Sequence, residues 1–251
     1  MKRFAIITGG SSGIGRHLVS AFAADGYDVA FSYLGAIEDA ETTVAAASGG
    51  GRVLAAACDV GDAAAVERFV TEAEAWAGQA PDVLVNNAGI QTWSPLLELS
   101  EERWDAVIRT NLKGTFLNTQ IVARHMVSAG KGGSIINIGS GCNKHAFPRL
   151  VDYTASKGGV EQFTKVAAVE LGPSGIRVNC VAPGAIETER TKAEAPDYAE
   201  TWGAVTPLRR VGTPDDIAGP VLFLASEAAG FVTGQTIWVD GGVFSQPQWP
   251  Y

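Results

Sequence analysis

A chain of 251 residues, 46% of them apolar, can bury one large core and is expected to form one domain spanning 1–251. Its 19 basic residues against 27 acidic ones, without long runs of either sign, exclude the electrostatic footprint of a nucleic-acid or anionic-lipid binder and point to a small-molecule partner. Three scattered cysteines (Cys58, Cys142, Cys180) fit neither a disulfide framework nor a metal site, and with no signal-peptide core and no apolar run near ~18 residues, they imply a soluble protein of the reducing cytoplasm.

Short apolar or β-branched runs recur at 4–8, 28–33, 52–57, 82–86, 134–138 and 176–182, each reading as a strand buried on both faces. Helical spacing fills the intervals at 14–25, 62–77, 101–129 and 153–171, and again at 214–226. Strand and helix in alternation predict an α/β fold, a doubly wound parallel sheet of Rossmann type with helices on both faces. The irregular stretch at 184–213, rich in Pro, Glu, Thr and Arg, is long for a connection and is expected to be a substrate lid.

The first strand runs into Thr8-Gly9-Gly10-Ser11-Ser12-Gly13-Ile14-Gly15, and a helix follows. Glycines there let the backbone turn sharply and approach a pyrophosphate, while free N–H groups at the helix start receive the anion. At the end of the second strand, where a carboxylate would hold the ribose hydroxyls of NAD, stands Tyr33 between Ser32 and Leu34. The 2′-phosphate of NADP is thus not excluded, and Arg16 is the nearest cation in sequence. NADP is expected as cofactor, with NAD accepted as well.

Ser140 ends the fifth strand, and Tyr153 and Lys157 share one face at the start of a helix. A phenol is a poor base at neutral pH, and a neighbouring ammonium would lower its pKa. Ser140, from another element, could hold a substrate oxygen against that phenol.

These motifs together resemble the short-chain dehydrogenase/reductase family over essentially the whole chain. TGGSSGIG matches its glycine loop, NNAG at 86–89 its fourth-strand motif, and YTASK at 153–157 its Tyr-x-x-x-Lys, with PGAIET at 183–188 and VTGQTIWVDGG also typical. The resemblance implies hydride transfer between a nicotinamide cofactor and an alcohol or carbonyl, with Asn111, Ser140, Tyr153 and Lys157 catalytic. Asn111 would support a water that links Lys157 to solvent. For the cofactor it implies Gly9, Ser11, Ser12, Gly13, Ile14, Gly15 and Arg16 at the phosphates. Tyr33, Asp59, Val60, Asn87 and Gly89 would lie along the adenosine. Tyr153, Lys157, Pro183, Gly184, Ile186 and Thr188 would lie at the nicotinamide end.

Substrate recognition is expected from Gln91 and Trp93, from Asn143 and its neighbours Lys144, His145 and Arg149, and from the lid, alongside Ser140 and Tyr153. So many hydrogen-bonding groups favour a hydroxyl-rich substrate, a sugar or polyol, as in the family's aldose 1-dehydrogenases. A 3-oxoacyl-carrier-protein reductase is the rival reading, although Ser174 stands where many such reductases carry a basic residue. A non-catalytic dinucleotide sensor is a third, which the intact Ser, Tyr, Lys and Asn set opposes. The resemblance also implies a homotetramer, in which the closing segment from Phe244 to Tyr251 would dock across a twofold axis, packing on its own subunit being the alternative.

Overall fold

All six runs form strands, and a seventh follows them. The computed structural model describes residues 2–47 and 49–245. Its strands are β1 (Phe4–Thr8), β2 (Asp28–Tyr33), β3 (Val53–Ala57), β4 (Val83–Asn86), β5 (Gly133–Ile138), β6 (Ile176–Pro183) and β7 (Thr236–Val239). They lie side by side in the order β3-β2-β1-β4-β5-β6-β7, all parallel. The order reverses direction between β1 and β4, which opens a crevice above the carboxyl ends of those two strands.

Alternation within β1 explains why both faces are covered. Ala5 and Ile7 face a cluster built by Leu18, Val19 and Phe22 of α1 (Gly13–Ala24) and Ile217, Val221 and Leu224 of α9 (Pro214–Ala225). Phe4 and Ile6 face the opposite cluster, supplied by α3 (Ala63–Ala77), α5 (Gly114–Ser128) and α6 (Val151–Leu171) through Val66, Phe69, Ile121, Met126 and Ala167. A parallel sheet buried on both sides is the arrangement that continuous apolar runs demand.

Three elements depart from the sequence reading. A helix absent from it, α2 (Ile37–Ala46), buries only Ala40 and Thr43, so its spacing carries little signal. The helix expected over 101–129 is divided into α4 (Glu101–Val107) and α5 by a π-helical stretch, Ile108–Lys113, which holds Asn111. Inside the irregular stretch at 184–213 lie two short helices, α7 (Glu189–Glu194) and α8 (Tyr198–Val205). Among the described residues no helix is long and apolar enough to cross a membrane. The three cysteines are buried and unpaired.

Candidate active site

The glycine loop is fastened before it is glycine-rich. Thr8 Oγ1 accepts the backbone N–H groups of Asn87 and Ala88 at 3.0 Å, and Asn87 Nδ2 returns 3.0 Å bonds to the carbonyls of Thr8 and Gly9. Gly9 and Gly13 hold φ of +67° and +50°, where a side chain would strain the backbone. Gly15 is required by space instead: a Cβ there would stand 2.0 Å from the Gly9 carbonyl oxygen. The Ser12 side chain does not cap the start of α1, which leaves its first N–H groups open toward the crevice. A dinucleotide phosphate fits this cradle.

One cleft of about 1260 Å³ opens there, and every expected cofactor-side residue lines it, from Ser12, Tyr33, Asp59 and Val60 at one end to Gly184, Ile186 and Thr188 at the other. Arg16 is less free than its position in sequence implies. Its guanidinium donates to the Ser11 carbonyl at 2.7 Å and lies 3.4 and 3.5 Å from the carboxylates of Asp39 and Glu189. Asp59 accepts from Arg109 at 2.6 Å and from the Gly61 N–H, and the Arg109 hydrogen bond holds its carboxyl below the usual carboxylate range.

At the centre, Ser140 starts a short turn in which its own Oγ accepts the Cys142 N–H at 3.2 Å. The same hydroxyl acts on the phenol of Tyr153 and favours its ionised form. Lys157 is 5% exposed, donates to the Ile138 carbonyl at 2.7 Å, and places Nζ 5.6 Å from the centre of the Tyr153 ring. Burial acts on both groups: loss of solvent pushes the phenol up to about 12 and the ammonium down to about 8. The expected lowering of Tyr153 by Lys157 is not among the leading influences in the free protein, where burial dominates. What lowers it are the Ser140 hydroxyl and then the field of Arg190.

Asn143 stands elsewhere than expected, whereas Asn111 Oδ1 and Lys157 Nζ lie 3.3 and 3.7 Å from the same point, the place a Gly89 Cβ would take. The buried Asn111 amide bonds the Ile90 N–H at 2.8 Å, the Ile90 carbonyl at 2.9 Å and the Ser156 hydroxyl at 3.0 Å, so it clamps two segments. Asn143 turns its carbonyl to the Ser140 N–H and its amide toward Cys180, and it does not line the cleft. It shapes the Ser140 turn instead of touching a substrate.

The neighbours of Asn143 also turn away: Lys144 lies over the Trp238 ring, while His145 bonds the Phe244 carbonyl. Arg149 is exposed with φ +68°. Gln91 and Trp93 do line the cleft, joined by Phe147 and Leu150 from the expected stretch before Tyr153, by Tyr198 and Trp202 from 184–213, and by Phe244, which the sequence reading missed. Phe244 meets Phe147 edge-on at 5.6 Å and covers Gly141, where a Cβ would stand 2.0 Å from its ring. The closing segment thus begins by packing on its own subunit. From Gln246 onward the expected docking segment lies outside the described residues.

A family model described as Enoyl-(Acyl carrier protein) reductase matches residues 9–244. The (3R)-3-hydroxyacyl-CoA dehydrogenase of Mus musculus is 41% identical over 247 residues, covering 96% of this chain and 95% of that one. The 3-oxoacyl-[acyl-carrier-protein] reductase FabG of Staphylococcus aureus is 41% identical over 245 residues, 97% of this chain and 99% of that one. The chain belongs to the short-chain dehydrogenase/reductase family. Solved structures of the family superpose closely. The short-chain dehydrogenase/reductase of Serratia marcescens matches at a TM-score of 0.89 with 37% identity, over 96% of this chain and 98% of that one. A protein of Agrobacterium tumefaciens with the working description 2-deoxy-d-gluconate 3-dehydrogenase and NADP bound matches at 0.87 with 35% identity, over 97% of each chain. As a short-chain dehydrogenase/reductase, this protein is an oxidoreductase of hydroxyl and carbonyl groups served by a nicotinamide dinucleotide.

Proposed function

We propose that this dehydrogenase reduces a ketone set between apolar groups, either the acyl chain of a 3-oxoacyl thioester or an aryl or alicyclic ring, using NADP(H) with NAD(H) also accepted. The observation that carries this reading is the substrate end of the cleft, where Trp93, Phe147, Leu150, Tyr198, Trp202 and Phe244 stand together. Aromatic walls gain by covering apolar carbon and offer few partners to a sugar's hydroxyls. Of the polar side chains that favoured a sugar or polyol, Asn143, Lys144, His145 and Arg149 are outside it, and Gln91 remains. The names of the acyl-thioester relatives point the same way.

When bound, the dinucleotide supplies or takes the hydride. Ser140 holds the carbonyl oxygen, and Tyr153, a neutral phenol at pH 7 by its position near 12, donates the proton as the alcohol forms. Lys157, charged below about 8, stabilises the phenolate left behind and can return a proton to it. NADP is favoured by the absence of a carboxylate at Tyr33, and Arg16 stands by the same edge, although Asp39 and Glu189 share its charge.

The test is a panel of acetoacetyl-CoA, 1-phenyl-1,2-propanedione, glucose and a polyol with both cofactors in both directions. Turnover of either ketone well above the sugars supports the reading; oxidation of glucose or the polyol with idle ketones overturns it. We further propose cytoplasmic residence and a homotetramer. The tetramer is supported by Phe116, Val127, Val166 and Val169, exposed apolar side chains on α5 and α6, and sedimentation as a monomer would refute it.

A further inference from the structure

Asp152 is a carboxylate with 1% exposure, one residue before the catalytic tyrosine. A buried charge needs partners, and it has two. Oδ1 accepts the Tyr153 backbone N–H at 2.7 Å, and Oδ2 accepts the hydroxyl of Thr92. The first partner answers a local need: Leu150 gives α6 no side-chain cap, and a carboxylate in the first turn both takes an open N–H and opposes the helix dipole. The second partner has no such explanation, because Thr92 belongs to the segment after β4 that carries Gln91 and Trp93 into the cleft.

That segment is tied to α6 again on either side. Ser94 pairs with Leu150 and donates to the Arg149 carbonyl at 2.9 Å. Asn111 grips Ile90 and reaches Ser156, whose hydroxyl donates to the Tyr153 carbonyl at 2.7 Å. The Tyr153 N–H is thereby bonded to a side chain that holds the substrate-side segment directly, and its carbonyl to Ser156, which reaches that segment through Asn111.

We propose that Asp152 is a positioning residue that, through Thr92, locks segment 90–94 and Tyr153 into one unit, so that substrate-side contacts set the place of the phenol. The inference rests on the reaction class alone and not on the substrate proposed above. Thr92→Val is the decisive variant, since it removes the coupling and leaves the Asp152 cap on Tyr153 intact. Misplacement of a reacting group by a fraction of an ångström predicts a fall in kcat of about 5- to 50-fold, with dinucleotide Kd within about twofold of the parent. Thr92→Ser should restore it.

In the double variant with Asp152→Asn the losses should not add, because one interaction is broken twice. Amide hydrogen exchange of Thr92→Val, read without substrate, should quicken in 90–95 and 151–158 together. Unchanged kcat, additive losses, or exchange that quickens only in 90–95 would each overturn the proposal. Because exchange needs no turnover, a wrong substrate class and a wrong coupling give different results.

Discussion

Gly15→Ala separates the two reasons for glycine in the cofactor loop. The added Cβ would lie 2.0 Å from the Gly9 carbonyl oxygen and 2.5 Å from Asn87 Nδ2, so one of them must move. Asn87 spends that amide on two bonds, to Thr8 and Gly9, each typically worth about 0.5–1.5 kcal/mol. Losing both removes about 1–3 kcal/mol of loop order, a weakening of dinucleotide binding of about 5- to 150-fold at 1.4 kcal/mol per tenfold. Titration of intrinsic tryptophan fluorescence with NADPH and NADH measures it directly. Gly13→Ala is the contrast: space is open there, with Thr188 Cγ2 at 3.7 Å, and the cost falls on the backbone at φ +50°, about 1–2 kcal/mol taken from folding. A Gly15→Ala protein that binds within about twofold of the parent would refute the argument from close approach.

Tyr153→Phe should lose at least about 10²-fold in turnover while binding the dinucleotide normally, as checked by steady-state kinetics and the same titration. Tyr33→Asp should weaken NADP relative to NAD, since a phosphate of about −1.5 to −2 charge would meet a carboxylate; an unchanged ratio of kcat/KM values would mean that Arg16 alone reads the ribose edge. Phe244→Ala should raise KM for a phenyl ketone by about 5- to 30-fold, from about 1–2 kcal/mol of lost apolar contact, and leave KM for the dinucleotide alone. The oxidative rate should climb with pH toward about 8, where Lys157 gives up its proton, and then level. Lys157→Arg, charged throughout, should erase that limb of the profile.

Much of this was readable in the chain because the relevant signals are local. The runs FAIIT and DVAFSY are buried on both faces, and a buried parallel strand is uniformly apolar. TIWV of β7 is only half-buried and α2 shows two buried positions, so neither carries the same pattern. The π-helical stretch around Asn111 is invisible to periodicity, since one widened turn inside an apolar helix leaves the composition unchanged. At the site, Ser140, Tyr153 and Lys157 could be read from spacing and chemistry together. The substrate wall could not. Phe147, Trp202 and Phe244 come from three distant segments that only the fold unites, while the polar residues beside Asn143 adjoin Ser140 in sequence and yet turn away from the cleft. The pair Tyr198 and Trp202, one helical turn apart, was the available hint of an aromatic face.

The direction of the two pKa displacements bears on which way the enzyme is set to run. One physical cause, loss of water around Tyr153 and Lys157, raises the phenol and lowers the ammonium, so each is moved toward its neutral form. With burial holding the phenol up to about 12, the site at pH 7 keeps the proton that reduction would consume. Oxidation must first export a proton, and Lys157, at about 8 and bonded to the Ile138 carbonyl, is the group beside the phenol that can release one near neutrality. With Tyr153 and Lys157 in the proposed roles, reduction is expected to need no preparatory ionisation and oxidation to wait on the lysine, an asymmetry that the two pH–rate profiles would show.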